Sequence, residues 1–341
     1  MSELLKILAE YVRGMPDPEV HVVVGQSSGD EQPMMLPAAE PTTIEAHLVE
    51  DIVGGKHVGE PEIGHIAYFM DGMQRPRGPV YIGSSIPWIY GYVAAAVRVR
   101  GTDKKMRKHD HASRESLYFP YALSDWRPLR ALGIDTVDTS ERDQKTDEHP
   151  LMMAERAKKK ISGVREDLEK AITSAWLRDF EGREEWLLVD GSLSGDYDRY
   201  QAPNIVGVIK SHQSQYYDRG SGKVIAGVDL RLGERSGVFI PGGRNRPPVY
   251  SWYLRLRPND GRDLYFGLIR VEAAKCDRTL DMADEISRWI LAERAPLSMP
   301  DARWDRMIYP IHDCELYLKS LAPAHATLDA MLLKLAASRD T

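Results

Sequence analysis

Two apolar runs in this chain end on the same dipeptide. "HIAYFMDG" leads to Asp71 and Gly72, and "EWLLVDGSLSG" leads to Asp190 and Gly191. Both runs have the length and composition of buried strands. A carboxylate at the end of a buried strand is fixed in direction by the sheet, and the glycine beside it lets a ligand or another backbone approach closely. The repeat therefore predicts one sheet in which the two strands lie side by side.

Two aspartates brought together in this way predict a metal site. A single Asp-Gly after an apolar run is most often an ordinary turn, and it is the repetition that favours a site. Neighbouring carboxylates repel each other and raise one pKa unless a cation lies between them. Oxygen ligands suit the hard ions Mg²⁺ and Mn²⁺, and two such ions roughly 3.5 to 4 Å apart serve phosphodiester hydrolysis.

Other side chains are candidates to complete this site. Glu115 follows a basic stretch in "HDHASRESLYFP" and is predicted to hold metal if that segment forms a neighbouring strand. His312 and Asp313 adjoin each other in "YPIHDCEL", as a candidate catalytic residue and a candidate metal ligand, and the residues leave the choice between them open. Lys210 ends the run "NIVGVIKSH", where its ammonium group could neutralise a phosphate.

The charge distribution permits a polyanionic partner. The net charge is -6, yet residues 98–114 carry seven Lys and Arg against two Asp. Lysine and arginine contact phosphates, and aromatic rings stack on bases. The arginines assigned to phosphate are Arg244, Arg246, Arg255, Arg257, Arg262 and Arg270. The aromatic residues assigned to bases are Tyr216, Tyr217, Tyr250 and Trp252.

The order of patterns predicts a mixed α/β protein. Residues 1–60 are interpreted as an N-terminal helix and arm, and residues 61–341 as one domain with a helical insertion at about 140–182 and C-terminal helices. The segment "QRPRGP" is interpreted as the turn after the strand that carries Asp71, and the runs "GVFIP", "PPVYSWYLRLR" and "DLYFGLIRVEA" as a meander.

Several classes of protein are excluded by what the sequence lacks. It contains no GxxxxGK[ST] and no strand-linked GxGxxG, so nucleotide hydrolysis is not expected. Cys276 and Cys314 are too few for a disulfide framework or a four-cysteine zinc site. No run is long enough for a membrane helix, and the N-terminal segment carries acids where a signal peptide would carry lysines. We therefore expect a cytoplasmic protein without membrane contact.

The succession "YFMDGMQRPRG", "WLLVDGSLSG", "NIVGVIKSH" and "RMIYPIHDCELYLKSLAP" resembles the NurA nuclease family over roughly residues 64 to 322. In that resemblance Asp71 and Asp190 match the strand aspartates, Lys210 matches the lysine after the neighbouring strand, and Tyr309 with Pro310 matches a C-terminal Tyr-Pro element. The sequence departs from the family at Met73, because the family's first motif often reads Asp-Gly-Ser.

The resemblance implies an RNase H-like fold and a Mn²⁺- or Mg²⁺-dependent DNA nuclease acting on single-stranded and duplex ends. It also implies a ring-like homodimer that works with a HerA-type hexameric ATPase, in break-end resection or antiviral defence. The sequence leaves two alternatives. One is a nucleic-acid-binding module without catalysis, and the other is a regulatory subunit of an ATPase complex.

Overall fold

The fold is described from a computed structural model of the chain. The structure describes residues 2–15, 22–24, 42–52, 54–141, 148–179, 184–193, 202–212, 214–225, 227–242, 248–294 and 304–337. The helices of this part are α1 (Glu3–Arg13), α2 (Arg127–Ala131), α3 (Pro150–Asp179), α4 (Asp277–Asp281), α5 (Ala283–Ala292), α6 (Tyr309–Leu321) and α7 (His325–Ala337). A short 3-10 helix spans Trp304–Arg306.

The strands are β1 (Val22–Val24), β2 (Thr42–Leu48), β3 (Lys56–His57), β4 (Ile66–Ile82), β5 (Pro87–Arg100), β6 (Met106–Phe119), β7 (Thr136–Asp138), β8 (Trp186–Asp190), β9 (Ile205–Ile209), β10 (Ser214–Asp218), β11 (Glu234–Arg235), β12 (Phe239–Pro241), β13 (Val249–Arg255) and β14 (Leu268–Ala274). Within the described residues they form one mixed sheet, whose main order is β10-β2-β12-β13-β14-β9-β8-β4-β5-β6-β7.

The centre of the sheet combines antiparallel and parallel pairs. Strand β5 runs antiparallel to β4 and to β6, whereas β8 runs parallel to β4 and β9 runs parallel to β8. The carboxyl ends of β4, β8 and β9 therefore point in the same direction. The predicted meander is confirmed, because β12, β13 and β14 pair in succession as antiparallel neighbours.

Helices cover both faces of this central region. Met70 and Ala95 pack with Ile172 and Trp176 of α3 on one face. Ala96, opposite Asp71 in the sheet register, belongs to the cluster on the other face, which includes residues of α1, α6 and α7. Successive residues of a strand point to opposite faces, so Asp71 is directed to the α6 face while Met70 faces α3.

The predicted turn at "QRPRGP" is wrong. Strand β4 continues through this segment to Ile82, and the chain reverses between Ile82 and Pro87 instead, where Gly83 has φ +62°. Strand β8 accompanies β4 only as far as Met70, and no other strand of the described residues pairs with β4 on that side until β1 pairs with Val80–Ile82. A proline is tolerated where no ladder hydrogen bond is required of it, so Pro76 does not end the strand.

The fold class predicted from the sequence is observed at the level of a mixed α/β protein whose large mixed sheet is flanked by helices. The predicted helical insertion contains α3, and the predicted C-terminal helices are α6 and α7. The N-terminal helix is also observed, with the Ser2 hydroxyl accepting from the Leu5 amide at its start. The division at residue 60 stays a prediction. No helix in the described ranges combines the length and the apolar character needed to cross a membrane.

Candidate metal centre

The register of two parallel strands brings Asp71 and Asp190 together. Met70 of β4 lies beside Val189 of β8, and each strand has its aspartate at the next position. Asp190 in turn lies beside Val208 of β9, and Lys210 follows two residues later on the same face. Since these three strands run in the same direction, two carboxylates and one ammonium group collect where β8 and β9 end beside β4.

A third carboxylate comes from the helix above the sheet. Ligand oxygens of Asp71, Asp190 and Glu315 all lie within 4.8 Å of one another. Asp71 is buried, with 6% of its surface exposed, whereas Asp190 and Glu315 are partly open to solvent. The cluster therefore has one buried carboxylate and two carboxylates that solvent can reach.

The packing of α6 places Glu315 over the strands. Ile311, Cys314 and Leu318 form the buried stripe of this helix, and the Cys314 thiol donates to the backbone oxygen of Phe69 at 3.3 Å. Glu315 lies one turn after Ile311 and borders that stripe on the side of Asp71 and Asp190. Sequence reasoning missed Glu315, although its position beside an i, i+3, i+7 apolar stripe was the available signal.

Without a bound cation, negative charge on the buried carboxylate of this cluster is unfavourable. Burial raises the pKa of Asp71 well above its usual range, and the neighbouring charges of Asp190 and Glu315 raise it further, against an opposing effect of Lys210. Lys210 donates to Asp190 Oδ2 at 3.0 Å. Burial lowers the pKa of Lys210, but the attraction of Asp190 and Asp71 outweighs it, so the pKa is raised.

The glycines that follow the two aspartates, Gly72 and Gly191, are favoured for different structural reasons. A Cβ on Gly72 would overlap the carboxylate of Glu169, which approaches from α3 on the opposite face. Gly191 has φ +121°, a backbone conformation that side-chain-bearing residues rarely adopt. The first glycine thus admits a neighbouring helix, and the second allows the chain to turn directly after Asp190.

The donor set fits a hard divalent cation. Three carboxylates from separate elements offer only oxygen ligands. Burial, followed by the charges of Asp190 and Glu315, raises the pKa of Asp71, and a cation between the carboxylates would compensate those charges. Asp71, Asp190 and Glu315 could bind such an ion. The identity of the ion, Mn²⁺ or Mg²⁺, and the presence of two ions stay predictions.

The structure places Glu115 outside this cluster. Asp71 pairs with Ala96 and through it with His111, whereas Glu115 pairs with Tyr92 and lies four residues further along β6. This offset is roughly 13 Å along the strands, in addition to two strand spacings across the sheet. Glu115 instead accepts from the Ser2 hydroxyl at 2.6 Å. Its expected role as a ligand in the same centre is therefore corrected.

The two neighbouring candidates on α6, His312 and Asp313, make different contacts. Asp313 forms an ion pair with Arg98 at 2.8 Å and is not part of the carboxylate cluster, so its assignment as a metal ligand is also corrected. His312 Nδ1 lies 3.4 Å from Glu315 Oε2 and thus adjoins the cluster without belonging to it. Tyr309 and Pro310 begin the helix, with Tyr309 56% exposed.

Most residues predicted to contact nucleic acid are structural. Arg255 is fully buried and donates to backbone oxygens that include Leu230 and Phe266, and Arg270 is buried beside Glu272. Their predicted contact with phosphate is wrong, because both guanidinium groups are buried and hydrogen-bonded inside the protein. The same correction applies to the predicted base-stacking residues Tyr216, Tyr250 and Trp252, which are buried in the core. Arg244 and Arg246 lie outside the described residues.

The basic stretch at residues 98–114 forms the end of β5, a hairpin turn and most of β6. Its arginines form ion pairs, which join Arg98 to Asp313, Arg100 to Glu293, Arg107 to Asp103 and Arg114 to Asp135. Lys104, Lys105 and Lys108 have exposed side chains at or near the turn. The lysines are therefore the part of this stretch most accessible to a polyanion.

Comparison with known proteins gives a likeness of structure but not of sequence family. No protein-family model and no curated protein matches this chain. Among solved structures, the chain is similar to the NurA nuclease from Sulfolobus solfataricus, with 14% sequence identity, 82% of this chain and 86% of that chain covered, and a TM-score of 0.46.

Proposed function

We propose that this protein is a divalent-metal-dependent nuclease that hydrolyses phosphodiester bonds in DNA. The observation that carries the proposal is the convergence of Asp71, Asp190 and Glu315 within 4.8 Å. Lys210 adds a positive charge at the same edge. Carboxylates beside a cationic side chain suit a reaction in which negative charge grows on a phosphate group.

The residues divide the chemistry between them. Asp71, Asp190 and Glu315 would hold the cation, which when bound would polarise the phosphate and activate water. Lys210 is anchored by Asp190 and can offer its remaining donors to a phosphate oxygen. Partial exposure of Asp190 and Glu315 leaves the site open to a large substrate. No protein nucleophile is required.

We further propose that the central region is RNase H-like. The support is the strand order, in which β4, β5 and β6 pair as an antiparallel unit, α3 follows, and β8 and β9 then lie parallel to β4 on its other side. Two acids of the site lie on neighbouring strands of this unit, Asp71 within β4 and Asp190 as the last residue of β8, the first strand after α3.

DNA as substrate and a HerA-type hexameric ATPase as partner are proposals with separate support. The exposed lysines of the β5–β6 hairpin favour contact with a polyanion. The sequence has no phosphate-binding loop of its own, so a motor that moves DNA would be a separate chain. A homodimer and a role in end resection or antiviral defence belong to the same proposal.

The test is a Mn²⁺ and Mg²⁺ titration on labelled linear DNA, with single-stranded and duplex ends. We expect metal-dependent cleavage by the wild type and its loss in Asp71→Asn and Asp190→Asn. Asp313→Asn is the matched control, because it neutralises an aspartate on α6 that lies outside the cluster. Absence of cleavage by the wild type with either metal, or unchanged cleavage by both site variants, would contradict the proposal.

A further inference from the structure

A buried glutamate contacts the turn that follows Asp190. Glu272 of β14 is fully buried, and it pairs in the sheet with Gly207 of β9, which in turn pairs with Val189. Glu272 is thus level with the residue just before Asp190, two strands away. Gly207 between them has no side chain, and a Cβ there would lie 2.6 Å from the backbone oxygen of Gly191.

The carboxylate of Glu272 is bound directly to this turn. Glu272 Oε2 accepts from the Ser192 hydroxyl at 2.7 Å and from the Leu193 amide at 2.8 Å. The Gly191 amide donates to the backbone oxygen of Val208 at 2.9 Å, so the turn is fixed to β9 as well. Each of the three residues after Asp190 is therefore hydrogen-bonded to strand β9 or β14.

The charge of Glu272 is balanced inside the protein. Arg270, two residues earlier on the same face of β14, forms an ion pair with it and also donates to Ser251 Oγ at 3.0 Å. A buried ion pair is expensive to desolvate and is weak evidence for stability alone. The contacts made by Glu272 point to a different benefit, which is a fixed geometry for the backbone beside a metal-ligand candidate.

We infer that Glu272 is a positioning residue for Asp190, acting through Ser192 and Leu193. The inference rests on the proposed metal-dependent function. By holding the turn, Glu272 sets where β8 ends and hence where the Asp190 carboxylate stands relative to Asp71 and Glu315. Groups that orient a metal ligand typically change metal affinity or activity by about 10- to 100-fold when removed.

The test measures Mn²⁺ affinity by the electron paramagnetic resonance signal of free Mn²⁺, without substrate, at a temperature where circular dichroism shows every variant folded. We expect Glu272→Gln to weaken Mn²⁺ binding by about tenfold. Ser192→Ala, which removes one hydrogen bond and keeps the Arg270 pair, weakens it less, and Ser192→Thr, which keeps the hydroxyl, restores it. Glu293→Gln is the matched control, because Glu293 is also a buried glutamate paired with an arginine, Arg100, but contacts another part of the sheet.

The outcomes separate this inference from the proposed function. Wild-type Mn²⁺ binding with equal affinity in Glu272→Gln and Ser192→Ala would overturn the positioning role alone. Equal weakening by Glu272→Gln and Glu293→Gln would also overturn it, because loss of any buried pair would then have the same effect. If the wild type bound no Mn²⁺, the proposed metal site would fail and the inference with it.

Discussion

The ammonium group of Lys210 donates to Asp190 Oδ2 at 3.0 Å, and both side chains are partly exposed, by 30% and 24%. The lysine therefore lies on a metal-ligand candidate at the open side of the cluster. In this position it compensates part of the negative charge of the carboxylates, and it can also meet the phosphate of a bound substrate. These two effects have opposite consequences for metal binding and for catalysis.

Lys210→Met should separate these effects. Removing a positive charge beside the carboxylates should tighten Mn²⁺ binding, whereas loss of charge stabilisation at the phosphate should slow cleavage by about 100-fold. Calorimetric Mn²⁺ titration and single-turnover cleavage at saturating Mn²⁺ measure the two quantities. Lys223→Met is the control, since Lys223 is exposed in the loop that follows β10. Weaker Mn²⁺ binding in Lys210→Met would show instead that the lysine mainly positions Asp190.

Glu315→Gln should weaken Mn²⁺ binding by at least about tenfold, because it replaces a charged ligand with a neutral one, a loss no smaller than that of an orienting group. Cleavage at limiting Mn²⁺ should fall in parallel and recover in part at high Mn²⁺. Glu115→Gln provides the comparison, because Glu115 lies elsewhere on the same face of the sheet. If Glu115→Gln lost Mn²⁺ affinity and Glu315→Gln kept it, the assignment of the third carboxylate would be reversed.

The raised pKa of Asp71 predicts how the metal-free protein responds to pH. Between the ordinary pKa of an aspartate and the raised one, the folded state binds more protons than the unfolded state. The stability contributed by protonated Asp71 is therefore fully present below the ordinary pKa and is lost as pH rises through the raised pKa. Melting temperatures in EDTA, measured from acidic to neutral pH, should fall more steeply for the wild type than for Asp71→Asn.

Added Mn²⁺ should reverse this loss in the wild type and leave Asp71→Asn almost unchanged, since a ligand that binds only the folded state raises its stability. Parallel pH profiles for the two proteins in EDTA would show that Asp71 does not carry a raised pKa.

Gly72→Ala should destabilise the protein through a steric conflict with α3. A methyl group at this position overlaps the Glu169 carboxylate, and overpacking of this kind typically costs about 1 to 3 kcal/mol. The double variant Gly72→Ala with Glu169→Ala should recover part of the loss, because the second change removes the obstructing group. Urea denaturation of both variants and of Glu169→Ala alone measures the coupling. Strict additivity would contradict the contact.

The pairing of Asp71 with Asp190 was predictable because an apolar run followed by Asp-Gly occurs twice, and parallel neighbours place equivalent positions side by side. The continuation of β4 beyond Asp71 was not predictable in the same way. Proline and glycine in "QRPRGP" favour a turn locally, but within the described residues this segment pairs with β5 on one side only, so the sheet tolerates them. Tertiary context decided the outcome against local preference.

The third carboxylate shows a different difficulty. His312, Asp313 and Glu315 lie within one turn of α6, and the choice between them depends on which side of the helix meets the sheet. Arg98 takes Asp313 into an ion pair on one side, whereas Glu315 reaches Asp71 and Asp190 on the other. The burial of Arg255, Arg270 and Trp252 could not be predicted from the sequence either. A strand with large polar and aromatic residues is compatible with both a core and a binding surface.

The position of Glu315 on a helix that follows both aspartate strands in the chain also bears on synthesis. A growing polypeptide has Asp71 and Asp190 outside the ribosome before α6 has emerged, so its acidic pair lacks the third carboxylate until that helix docks on β4 and β5. If the proposed nuclease activity needs all three carboxylates, unfinished chains would be harmless to the DNA of the cell that makes them.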